Sequence, residues 1–100
     1  MEKRIIWTRI AINHLDQIFE YVYNTSKSQF IAGKVVNQIH SSATILSYNY
    51  EIYNLDTYKF LNDGSYRAYE IFHYRISYKI STDEIYILSV RHSSMNPKIH

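Results

Sequence analysis

The chain has 100 residues, a formal charge of +2 and no cysteine, which suits one domain and removes disulfides, thiolate metal sites and cysteine nucleophiles. Its two glycines, Gly33 and Gly64, cannot supply the several Cβ-free positions that a Walker loop or a dinucleotide fingerprint places around phosphates, so no nucleotide cofactor is expected. The start, Met-Glu-Lys-Arg-Ile-Ile-Trp-Thr-Arg, lacks the apolar run of a signal peptide or a membrane span, and a cytoplasmic protein without membrane contact is the expectation. Acidic and basic residues balance up to Gly64, so the whole basic excess falls in residues 65–100. Eleven tyrosines combine rigid apolar bodies with polar tips, which suits half-buried sheet faces and contact surfaces.

Residues 3–8, β-branched and aromatic, predict a short first strand. From Thr8, a suitable N-cap, Ala11, Leu15, Ile18 and Val22 recur at steps of four, three and four and predict a helix over 9–24. Asn24-Thr25-Ser26 interrupts it. Ser28 can cap a second helix whose face carries Ile31, Val35, Ile39, Ala43 and Leu46, reaching residue 47. So short a connection makes the two helices an antiparallel hairpin, and Gly33 inside the second is expected to mark close packing on the first. Residues 48–62 read as loop with a short strand at 57–61. After the Asp63-Gly64 turn come three β-forming runs, 65–72, 74–80 and 84–91, an antiparallel meander. Tyr74, Ile76, Tyr78 and Ile80 alternate with Arg75, Ser77 and Lys79, giving one apolar and one basic face. The run 84–91 is apolar on both faces, as an interior strand would be. The fold class expected is α+β, with an N-terminal strand and an antiparallel two-helix hairpin packed on a twisted antiparallel sheet.

Arg67, Arg75 and Arg91 come from three successive runs, with His73 and His92 near strand ends. Alternation puts Arg67, Tyr69 and His73 on one face of their run and Arg75 and Lys79 on one face of the next, while the pairing register stays open. Gathered together, these residues would suit a polyanion, because guanidinium groups grip phosphate oxygens and Tyr or His stacks on bases; dispersed, they form a solvated sheet face. The histidines at 14, 40, 73, 92 and 100 show no paired metal-ligand spacing, so no metal is expected. His14 and His40 fall in helices and receive no role. Ser93 and Ser94 beside His92 lack the elbow of a nucleophile pair.

Trp7-Thr8 before a helix, a Ser-led second helix, Asp63-Gly-Ser-Tyr-Arg67, His73-Tyr-Arg-Ile-Ser-Tyr78, Ile87-Leu-Ser-Val-Arg-His92 and Pro97 fall in an order that resembles the RelE/ParE toxins of bacterial type II toxin–antitoxin systems over nearly the whole chain. The resemblance implies one growth-inhibiting toxin domain over residues 1–100, neutralised by a cognate antitoxin whose flexible C-terminal part wraps it. The family divides by target. RelE-like members cut mRNA in the ribosomal A site without metal; here Arg75, Arg67 and His92 would be catalytic, with Arg91 a further phosphate contact and Tyr69, Glu70 and His73 in reserve. The lysine pair that RelE carries before its Tyr-Arg segment is absent, with Tyr66 and Ala68 in its place. ParE-like members poison DNA gyrase and need no nuclease constellation. Long helices, and a chain ending about eight residues after its last strand without room for a C-terminal helix, lean the reading to ParE; Arg67, Tyr69, His73, Arg75, Lys79 and Arg91 would then be contact residues. A non-toxic protein-binding module of the same fold is the third alternative.

Overall fold

The computed structural model describes residues 2–93; residues 94–100, with Ser94, Pro97 and His100, lie outside the described residues. The strands are β1 (Arg4–Trp7), β2 (Tyr66–Ile71), β3 (Tyr74–Ile80) and β4 (Glu84–His92), and the helices are α1 (Arg9–Ser26) and α2 (Gln29–Ser42), the latter running into a 3₁₀ turn, Ala43–Ser47. Sheet order is β1-β4-β3-β2. The last three strands form the antiparallel meander, and β1 joins β4 in parallel, Ile5 opposite Ile85 and Trp7 opposite Ile87, so the four-stranded sheet is mixed. β4 is therefore interior over its first half, as its apolar content requires.

Thr8 caps α1 by accepting from the Ala11 amide, and Ala11, Leu15 and Ile18 are the buried stripe. Lys27, in the left-handed conformation at φ 60°, stops the helix with its N–H bonded to the Tyr23 carbonyl. Ser28 then caps α2 through the Ile31 amide. The expected face of α2 holds at Ile39, Ala43 and Leu46, which are buried, and differs in the first turn, where Ile31 is exposed and Ala32 is buried. The α-helix also ends at Ser42 rather than residue 47. There the Ser42 hydroxyl donates to the Ile39 carbonyl, and Ser47 is drawn to β1 by reciprocal bonds with the Lys3 backbone. Gly33 is no close approach, since a Cβ there would meet nothing within 4 Å.

Residues 57–61 form turns instead of a strand; the segment before them makes a single antiparallel bridge, Leu55 to Arg67. Tyr69, Tyr74, Ile76, Tyr78, Ile85, Ile87 and Val90 from the sheet close the core against Leu15, Ile18, Ile39 and Leu46. A β-bulge interrupts the β3–β4 register: Ser77 faces Ser89 and Tyr78 faces Ile87, leaving Leu88 as the extra residue. Without it Arg91 would share the core side with Ile85 and Ile87. With it, Val90 enters the core and Arg91 turns to the other face.

Candidate functional site

The face of the sheet turned away from the helices is built in cross-strand rows. Glu70, Arg75 and Arg91 make the row nearest the β2–β3 hairpin, Ala68, Ser77 and Ser89 the middle one, and Tyr66, Lys79 and Tyr86 the far one. Arg75 and Arg91 are thus cross-strand neighbours and Lys79 shares their face two rows away, with the Lys59 and Lys79 ammonium groups 4.3 and 5.3 Å from the Tyr66 ring. Arg75 carries a counter-charge: its Nη2 donates to Asp56 Oδ1 at 2.6 Å, the Asp56 side chain is 1% exposed, and the guanidinium lies 4.8 Å from the Tyr58 ring. Asp56 also accepts from the Tyr58 amide at 3.0 Å, while its own amide donates to the Tyr66 carbonyl, so residues 54–58 fold over the sheet edge onto this face.

Arg67 and Tyr69 stand on the opposite, core side, because Arg67 pairs with Tyr78 and Tyr69 with Ile76. Arg67 Nη1 donates to the carbonyls of Tyr53 at 2.8 Å and Glu51 at 3.3 Å, which ties down the 50–54 segment. Tyr69 is 8% exposed, stacks on Tyr53 at 4.2 Å and shares a hydrogen bond with the Ser42 hydroxyl. Burial pushes its phenol up to about 12. Tyr78, fully buried and donating to the Tyr50 carbonyl, is likewise raised to about 12 by burial. The structure therefore separates Arg67 and Tyr69 from Arg75, Lys79 and Arg91.

His73 is not in a strand. With Phe72 it forms the two-residue β2–β3 turn, both at positive φ, 52° and 65°, the conformation of a type I′ hairpin that usually takes Asn-Gly. His92 sits cross-strand from Tyr74, its ring 5.3 Å from the Tyr74 ring and 6.4 Å from that of His73. Beside them is a feature the sequence reading passed over. His14 of α1 accepts the Val90 N–H at Nδ1, 3.0 Å away, where β4 has lost its neighbour β1. Burial, and then the nearby Arg91 cation, hold the His14 imidazole below its usual value. His14, Gln17, Ile18, Tyr21, Tyr74, Val90, Arg91 and His92 line a cavity of about 350 Å³ between α1 and the end of β4. Among the described residues no group of three or more His, Asp or Glu could hold a metal ion, and no helix is long and apolar enough to cross a membrane.

Residues 5–97 match the family model described as ParE toxin of type II toxin-antitoxin system, parDE. The chain belongs to the ParE toxin family. None of the curated protein sequences is significantly similar to it. Among solved structures, a chain of the chromosomal ParDE toxin–antitoxin system from P. aeruginosa superposes with a TM-score of 0.74 at 19% identity, over 91% of this chain and 96% of that one. At that identity the likeness speaks for the fold, two helices on a four-stranded mixed sheet.

Two residues of this toxin's site were missed from sequence, for different reasons. His14 falls between Ala11 and Leu15 on the apolar stripe, at steps of three and four from Ala11 and Ile18, so its inward position was readable. Asp56 stands in a stretch with no period of two or 3.6, and nothing local announces that it will be buried against an arginine nineteen positions later.

Proposed function

We propose that this ParE-family toxin inhibits growth by poisoning DNA gyrase, that a cognate antitoxin neutralises it, and that it does not cleave mRNA on the ribosome. The observation that carries this reading is the dispersal of the cations. A nuclease without a metal must converge several donors on one phosphate and supply a group to move protons. Here Arg67 spends its donors on loop carbonyls on the core side, and Arg75 is held by the buried Asp56 carboxylate on the other. What remains on the outer face is Lys79 among Tyr66, Tyr86 and Ser89, with Arg91 at its open β4 edge, where it also borders the α1 cavity, a surface suited to contact with a macromolecule rather than to acid–base chemistry. In this reading Arg75, Lys79, Arg91 and the hairpin-tip His73 contact the target, and Arg67 and Tyr69 support that surface from behind.

The test combines a gyrase assay with a transcript assay. Purified toxin is added to gyrase with supercoiled and relaxed plasmid, and mRNAs from cells arrested by brief expression are mapped by primer extension. Loss of supercoiling or trapped cleaved plasmid, with intact transcripts, is expected; cuts inside codons with unaffected gyrase would transfer the chain to the ribosome-dependent nucleases. Normal growth at high expression without any antitoxin would leave only a binding module.

A further inference from the structure

We propose that the cavity between α1 and the open end of β4 is a binding site for a carboxylate carried on an apolar or aromatic body. The site begins with a topological accident. β1 stops at Trp7, opposite Ile87, so the rest of β4 has no strand on that side. The start of α1 takes its place: the Thr8 hydroxyl and amide donate to the Ile87 carbonyl, and His14 Nδ1 accepts the Val90 N–H. An imidazole that accepts at Nδ1 carries its proton at Nε2 when neutral, so the nitrogen left over can only donate.

Arg91 supplies the charge: its register puts it on the outer face, but beyond Ile87 β4 is an open edge, and there the Arg91 side chain borders the cavity close enough to His14 to act on it. Its guanidinium has donors and no acceptor, and its buried Nε has no hydrogen-bond partner among the described residues. Tyr21, Tyr74 and Gln17 add further donors, and His92, Ile18 and Val90 complete the lining, the last two apolar. No Asp or Glu lines the cavity, so nothing within it competes for the guanidinium. The volume, about 350 Å³, lies at the small end of ligand sites. One full positive charge beside a neutral histidine matches one negative charge, which favours a carboxylate over a phosphate dianion, and the tyrosine faces and Ile18 suit an attached ring or aliphatic group. The inference shares Arg91 with the gyrase reading but is tested by ligand binding alone, so either can fail without the other.

The experiment is an NMR titration of the purified full chain, following the Val90 amide and the His14 ring. Benzoate is expected to give saturable shifts at both, with the neutral isostere benzamide about tenfold weaker or worse, the loss expected when a charged hydrogen bond goes. Arg91→Gln is expected to weaken benzoate by a similar factor, and Tyr21→Phe, an exposed position safe for folding, to weaken it by about threefold. A short peptide ending in a free phenylalanine carboxylate separates the sources: binding tighter than benzoate assigns a polypeptide terminus, weaker binding a free small acid. Equal binding of benzoate and benzamide, tighter binding of inorganic phosphate, unchanged affinity in both variants, or no saturable shift at either reporter would each overturn the proposal.

Discussion

Replacing Asp56 by Ala probes whether the loop over the outer face is held by one ion pair. The Asp56 side chain is 1% exposed and accepts hydrogen bonds from Arg75 Nη2 and the Tyr58 amide. Removing one member of a buried pair costs about 3–5 kcal/mol, because the surviving charge is left without a partner. Arg75 is 23% exposed and retains the Tyr58 ring, so water can recover part of that cost, and about 2–3 kcal/mol is expected. With a urea slope of about 1 kcal/mol per molar for a domain of this size, the unfolding midpoint should fall by about 2–3 M. A cycle with Arg75→Ala and the double variant isolates the pair, and about 2 kcal/mol of coupling is expected. Coupling below about 0.5 kcal/mol, the range of exposed pairs, would show that the clamp is a surface contact and that burial has been misjudged.

Arg67→Ala should cost about 1.5–3 kcal/mol, since it removes charged hydrogen bonds to the Tyr53 and Glu51 carbonyls, and amide hydrogen exchange should quicken first around residues 50–56. The His14 imidazole is depressed in the folded state, so the unfolded chain takes up its proton first. The associated stability is complete above about pH 6.5, the unfolded value, and is lost as pH falls through the lower folded value. Urea midpoints measured from pH 7.5 downward should show that decline, and His14→Gln should flatten it. Tyr69 and Tyr78 are raised to about 12, so their contribution is present below pH 10 and lost as pH rises from 10 towards 12. Ultraviolet titration should find Tyr69 and Tyr78 among the phenols that ionise late, and Tyr69→Phe should remove one of them. Replacing Phe72-His73 by Asn-Gly relieves two left-handed non-glycine positions, and thermal unfolding should shift upward by the equivalent of about 1–2 kcal/mol.

The helices and the meander were legible because their periods are local. Ala11, Leu15 and Ile18 mark a helix whatever lies beyond them, and the alternation from Tyr74 to Tyr78 marks a strand with a core side. Facing in β2 was not legible, since Tyr66 and Tyr69 lie on opposite parities and a tyrosine suits either side. Only the pairing of Tyr69 with Ile76 decides that Arg67 goes inward. Arg91 depended on a feature of the same kind. Counting by twos from Ile85 puts it in the core, and the extra residue at Leu88 reverses that. The Ile-Leu pair at 87–88 is the visible trace of that break in parity, inside a strand whose apolar content also reflects its interior first half.

This parity shift also determines how the outer face can be tested. Arg75 is both a cation on that face and the partner of Asp56, so charge reversal there sets two carboxylates against each other where one is buried. Loss of toxicity in such a variant would report a displaced loop as readily as a lost target contact. Lys79 lies on the same face two rows away, its ammonium over the Tyr66 ring and in no ion pair among the described residues. Lys79→Glu therefore alters the field of the face with little demand on the fold, and surface changes of this kind stay within about 0.5 kcal/mol. If the basic face contacts gyrase, this variant should lose inhibition with an unchanged urea midpoint. Full inhibition by a folded Lys79→Glu protein would move the contact to the hairpin tip, where Phe72 and His73 are held in a conformation that their own side chains disfavour.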